Sequence, residues 1–222
     1  MAPFNGIPAD AVDFYRELQL DNSRSWWAAN KDRYAASVRG PVEGLLGELA
    51  DEFGEAVAYR PHRDVRFSAD KSPYKDHQGA LVHVVEGLGY YVQVGPEGVT
   101  TGAGYLPKGP DQLVRLRAAI DAPATGQELE RILGKLAAAG FELQGETLRT
   151  RPRGVAEDHP RPELMRRKNV IATRRHGEPP WMSTPQAADR VRDDWRTLRP
   201  LVTWLVANVG ASTTERTRSG RG

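Results

Sequence analysis

The sequence predicts an α+β fold, a mainly antiparallel sheet with a central meander packed against N-terminal and C-terminal helices. Three observations carry this. Apolar residues recur at helical spacing in the first third of the chain, short β-rich runs separated by Gly-containing turns fill the middle, and a long amphipathic segment lies near the end.

The elements follow in order. Asp10 is expected to cap a first helix in which Val12, Phe14, Tyr15 and Leu18 share a side. Asp21, Asn22 and Ser23 supply turn and cap chemistry for a second helix, SWWAANKDRYAASV, with Trp27, Tyr34 and Val38 on its apolar face. Pro41 is placed as the first residue of a third helix, striped by Val42, Leu45, Leu46, Leu49 and Phe53 and ended by Gly54. GALVHVV and YYVQV then read as a hairpin, and PEG turns into a third strand, VTTGAGYL. Gly102 and Gly104 inside that strand point to a bulge or a close backbone approach. Two helices follow from Pro110, the second ending at Gly140. FELQG and TLRT read as another hairpin and NVIATRR as a further strand. In the last helix Val191, Trp195, Leu198, Val202 and Leu205 line one face, and Pro200 is expected to kink or split it. Residues 1–210 are expected to form a single domain, and 211–222, which lack apolar content, a disordered tail.

Composition narrows the function classes. With 39% apolar and 27% charged residues the chain is of ordinary globular type, and its formal net charge of +2 gives no whole-protein argument for nucleic acid or membrane binding. There is no cysteine, which excludes disulfides, thiolate metal sites and cysteine nucleophiles. The N-terminus shows no secretory signal pattern, and no apolar run approaches the roughly 20 residues of a membrane span, so a soluble cytoplasmic protein is expected. No P-loop, nucleophile-elbow or dinucleotide-fold glycine motif occurs, and no cofactor is indicated. His62, His77, His83 and His176 lack zinc-site spacing, so no metal site is expected.

One stretch stands apart. RDVRFSADKSPYKDH, residues 63–77, sets Arg63, Arg66, Lys71 and Lys75 among Asp64, Asp70 and Asp76, with Phe67 and Tyr74 between the charges. A solvated charge run is the plain reading of such a loop, since exposed ion pairs contribute only about 0–1 kcal/mol each. The interleaved aromatics argue against it. So does the helix-start pattern Ser72-Pro73, because a helix N-terminus offers unpaired N–H groups to an anion. Guanidinium forks, ammonium groups and backbone donors together suit phosphate, sulfate or carboxylate, with Asp64 as an orienting group or base. An internal salt-bridge network over the same residues is the competing reading.

The same stretch resembles the signature of the domain of unknown function 2461 family of bacterial and fungal proteins. FNGIPADAVDFYREL, DNSRSWWAANKDRY, GYYVQVGPEG and RPRGVAEDHPRPELMRRKN are similar to further segments of that family, in the family's order, from about Phe4 to about Leu205. The resemblance implies a compact, mainly cytoplasmic α+β domain and carries no reaction. Trp27 stands where the family usually has Phe, and Val65 where Thr is common. The pattern maps onto Arg24, Asn30, Lys31, Tyr34, Arg63, Asp64, Arg66, Phe67, Lys71, Pro73, Tyr74 and Lys75, and onto Asp158, His159, Pro160 and Lys168.

Elsewhere, Asn30 and Lys31 on the second helix are expected to wall the site, because a mid-helix Asn asks for a hydrogen-bonding reason. Asp158-His159 offers a weak acid–base candidate in His159, with turn capping as the plainer alternative. RTRPR, RRK and TRR, with Tyr105 and Trp181, suggest a nucleic-acid groove, although interspersed acidic residues weigh against it. The expectation is therefore an anion-binding protein, an enzyme on a phosphorylated or otherwise anionic small molecule. A non-catalytic module for nucleic acid or an acidic partner, and a purely structural ion-pair network, are the alternatives.

Overall fold

The computed structural model describes residues 4–64, 66 and 70–213. Six strands form one antiparallel sheet in the order β1-β2-β3-β4-β6-β5, where β1 is Ala56–Ala58, β2 Gln78–Val85, β3 Leu88–Gly95, β4 Gly98–Tyr105, β5 Glu142–Gln144 and β6 Val170–Gly177. The helices are α1 (Asp10–Leu20), α2 (Arg24–Arg33), α3 (Gly40–Phe53), α4 (Pro110–Asp121), α5 (Pro123–Ala138), the single turn α6 (Pro162–Met165) and α7 (Gln186–Asn208). The α+β fold is thus as the sequence predicts. The chain divides into two compact units, one made of residues 1–83, 90–102 and 174–196, the other of 84–89, 103–173 and 197–222. Among the described residues no helix is long and apolar enough to cross a membrane.

In the first unit Phe14, Tyr15, Leu18, Leu45 and Leu49 are buried, and Phe53, Tyr90 and Trp195 meet at ring separations of 5.1–5.5 Å. The indole N–H of Trp195 donates to the carbonyl of Tyr91 at 3.1 Å, so the ring is buried without an orphaned donor. α1 begins differently from expectation. Asp10 is the first helical residue and no side chain caps the helix; its carboxylate accepts from Nε and Nη2 of Arg33 instead. Ser23 does cap α2, accepting from the Trp26 N–H at 3.1 Å.

The expected break before Pro41 is absent. α2 passes into a π-helical turn, Tyr34–Arg39, and directly into α3. Proline lacks an N–H, and in a straight α-helix its ring would strike the carbonyl four residues back. The wider turn relieves this, with Gly40 donating to Ala35, five residues back. Gly54, at φ 92°, ends α3 as expected.

In the second unit Leu116, Ile120, Leu129, Phe141 and Leu205 form the core. The Arg161 side chain, 4% exposed, donates to the carbonyls of Ile120 and Asp121 at 2.6 and 3.0 Å and so satisfies the end of α4. FELQG does not pair with TLRT. β5 pairs antiparallel with β6, and Thr147 instead bridges Arg167. α7 continues through Pro200 without splitting. The expected tail begins in order: Ser212 and Thr213 donate to Asp111, while 214–222 lie outside the described residues.

Gly104 answers to a close approach. A Cβ there would stand 2.3 Å from the carbonyl oxygen of Val170 on β6. Gly104→Ala is therefore expected to lower stability by about 1–3 kcal/mol through overpacking, read as a shifted urea midpoint at unchanged slope.

Candidate functional site

The 60–77 segment leaves β1 and returns to β2 through a closed neck. His62 bridges Tyr74, the Arg63 N–H donates to the Pro73 carbonyl at 2.9 Å, and the Lys75 N–H donates to the Pro61 carbonyl at 2.8 Å. Ser72-Pro73 does not start a helix. The Ser72 N–H turns onto Asp70 Oδ1 at 2.8 Å, Pro73 lies in a bend, and Tyr74 forms the bridge of the neck. Packing overrides the local signal: Tyr74 is 6% exposed and stacks on Trp27 at 4.1 Å and 10°. Asn22 takes both Tyr74 backbone groups, accepting from its N–H at 3.2 Å and donating to its carbonyl at 3.0 Å. The expected helix N-terminal anion site is thus replaced by a bridged loop.

The charges divide unequally. Arg66 is exposed and forked onto Asp64 at 2.9 and 2.6 Å, which holds the Asp64 carboxyl down at about 2. Such a carboxylate is a weak base at neutral pH. Arg63 is more enclosed. It pairs with Asp70 at 2.5 Å, lies 3.8 Å from Asp76, and has its Nε buried with no acceptor among the described residues. Asp76 also accepts from His77 Nδ1 at 2.8 Å. Lys75 is half-buried with its ammonium 5.0 Å from the centre of the Tyr59 ring. Burial, then the Arg60 and Arg63 charges, push its pKa below the ordinary lysine value. Neither Lys75 nor Arg60 forms an ion pair among the described residues. Residues 60–77 carry five cations against three carboxylates, a surplus of two that equals the formal charge of the whole chain.

The other expected site residues scatter. Asn30 donates to the Trp26 carbonyl within its own helix at 2.9 Å, and Lys31 and Lys71 are exposed. α2 does reach the loop, through Trp27 rather than Asn30. Val65 and Phe67 lie outside the described residues. His159 meets Asp121, not Asp158: its Nδ1 accepts the Arg161 N–H at 3.0 Å, so its Nε2 carries the proton donated to Asp121 at 3.1 Å. Both ring nitrogens are engaged within the protein. Half of the basic side chains in these clusters are engaged within the protein, whereas those of Arg149, Arg151, Arg153 and Arg175 form no hydrogen bond or ion pair among the described residues. Arg166 binds Glu163 and two carbonyls, Arg167 the Gln144 carbonyl, Lys168 Glu146 and Arg174 Asp194. Tyr105 is fully buried and presents no face for a base to stack on.

One cluster carries no motif. Asp194 on α7, 6% exposed at its side chain, accepts from Thr101 at 2.5 Å, His176 Nε2 at 2.6 Å and Arg174 at 3.2 Å. Trp181 packs edge-on against the His176 ring. Thr101 gives its proton to the carboxylate rather than to the histidine, so it is not activated as a nucleophile. The signal available in the sequence was a carboxylate inside the apolar stripe, three residues after Val191 and four before Leu198. Among the described residues no group of three or more potential ligands could hold a metal ion.

Burial raises the Asp194 pKa, but the hydrogen bonds from His176 and Thr101 and the charges of His176 and Arg174 outweigh it and carry the group below its ordinary value. A depressed carboxylate pKa stabilises the fold above the unfolded value near about 3.9, and that contribution fades as pH falls below it. Asp194→Asn is expected to cost about 3 kcal/mol at neutral pH and to flatten the acid limb of a stability–pH profile measured by urea unfolding.

The family described as conserved hypothetical proteins with domain of unknown function 2461 matches residues 10–204. No curated protein and no solved structure is significantly similar to the chain.

Proposed function

The chain belongs to the domain of unknown function 2461 family, and from the loop itself we propose that it binds a small phosphate-type anion through Arg60, Arg63 and Lys75. The observation that carries this is a half-buried Lys75 whose neighbouring charges are two arginines, one of them with a buried and unpartnered Nε. Like charges held together where Lys75 and Arg63 are half-buried and Arg60 is exposed raise the free energy of the unliganded protein, and an oxyanion relieves both the repulsion and the orphaned donor. Tyr59 gives one wall and the exposed Arg66–Asp64 pair stands outside the set. The reading is of binding; the low pKa of Asp64 supports no acid–base step through that residue. A cysteine-free chain suits the reducing cytosol.

A structural role has one specific observation in its favour, the Asp70–Arg63–Asp76–His77 chain of contacts. Lys75 separates the two readings because it belongs to no ion pair there. Lys75→Met is expected to leave the protein folded and at least as stable, and to weaken inorganic phosphate binding by roughly tenfold or more in calorimetric titration. A binding slope against log salt no steeper than about −2 fits a single enclosed anion rather than a tracked nucleic-acid backbone. Unchanged phosphate binding in Lys75→Met and Arg60→Met would sink the proposal.

A further inference from the structure

The second unit contains its own unpartnered arginine. Arg117, on the inward-turning side of α4, has its Nε buried and forms no hydrogen bond or ion pair among the described residues. Buried donors without acceptors are rare in folded proteins, and each asks for a ligand, a water or a functional reason. Arg117 lines an open cleft of about 390 Å³, within the size range of small-molecule sites, to which the loop 152–156 also contributes lining. That loop turns at Gly154, where φ is +87°, and carries Arg153, which likewise forms no ion pair or hydrogen bond among the described residues. Met165 and Val155 supply apolar lining.

The charge of the cleft selects the ligand class. Arg117 and Arg153 contribute two positive charges and Asp121 one negative. Both ring nitrogens of His159 are engaged within the protein, Nδ1 with the Arg161 N–H and Nε2 with Asp121. One net positive charge matches a monoanion, and the Asp121 carboxylate disfavours a dianion by repulsion. Guanidinium forks fit a carboxylate, and the apolar lining asks for an apolar body on it. We propose that this cleft is a binding site for a small monocarboxylate with an apolar body, its carboxylate held by Arg117 and Arg153. The site involves none of the residues assigned to the phosphate-type anion.

The test is calorimetric titration of the full chain with benzoate, run in the wild type and in Lys75→Met so that the loop site does not contribute. Saturable benzoate binding is expected in both, weakened roughly tenfold or more by Arg117→Met and by the surface change Arg153→Ala. Inorganic phosphate is expected not to compete. If Arg117→Met fails to fold, Arg153→Ala carries the test alone. Absent benzoate binding, or binding indifferent to both substitutions, overturns the site. Phosphate displacing benzoate at equal concentration in Lys75→Met overturns the monocarboxylate assignment.

Discussion

The position of Tyr74 is the constraint on which the candidate loop depends. Its ring is buried on Trp27 and both of its backbone polar groups are taken by Asn22, so ring and main chain are fixed by the same few residues ahead of and within α2. An offset or parallel aromatic pair adds about 0.5–1.5 kcal/mol beyond area burial, and the paired amide bonds remove the cost of burying a loop backbone. With Tyr74 held, its neighbours have little choice. Lys75 is carried over Tyr59, and Arg63, across the neck, is drawn to a half-buried position that an unanchored charged loop would exchange for water.

Arginine is abundant in this chain, and its ordinary fate here gives the two exceptions their meaning. Arg33 is forked onto Asp10 and Glu17, Arg196 onto Glu52, and the buried Arg161 onto the terminal carbonyls of α4. Arg161 shows that the fold can bury a guanidinium and satisfy it. Gly126 even leaves room for it, since a Cβ there would lie 2.4 Å from its Nε. Arg63 and Arg117 depart from that pattern at the same atom, a buried Nε. A composition bias toward arginine explains many surface guanidiniums. It does not explain two guanidiniums whose Nε atoms are buried without an acceptor among the described residues.

The helices were legible because the stripes of α3 and α7 are set by burial, which sequence records directly, and the meander because its strands are β-rich runs, largely buried, separated by Gly-containing turns. Local signals failed where tertiary packing competed with them. Ser72-Pro73 reads as a helix start, yet Tyr74 gains more from Trp27 than a short helix would return. Pro41 reads as a boundary, yet a π turn carries the helix past it. The loop was legible from its charge, its interleaved aromatics, the Ser72-Pro73 pattern and the family resemblance, but its members are sorted only by their surroundings: Arg66 closes on its own neighbour, and the Arg60 charge acts on Lys75. Asp194 and Arg117 were missed because their partners come from distant strands and loops, and pairing across such separations leaves no spacing to read.

The π turn bears on the loop as well as on the helix. By adding a residue to the turn it changes the phase of the helical face, and Tyr34, at its start, is buried with its hydroxyl on Gln78 Oε1 at 2.5 Å. The Gln78 amide in turn donates to the carbonyl of Tyr59 at 2.9 Å, and Arg39, at the end of the same turn, reaches that carbonyl at 3.4 Å. Gln78 is 1% exposed, so its amide must be fully satisfied to be buried at all, and the orientation that satisfies it also fixes the Tyr59 backbone. Tyr59 carries the ring beneath Lys75. A widened turn at Pro41 is thereby joined, through three hydrogen-bonded residues, to the wall of the proposed anion site. π turns inside α-helices recur at functional sites because they set a side chain where a regular helix would not. Here the side chain so placed is Tyr34, and what it supports is the half-buried ammonium of Lys75.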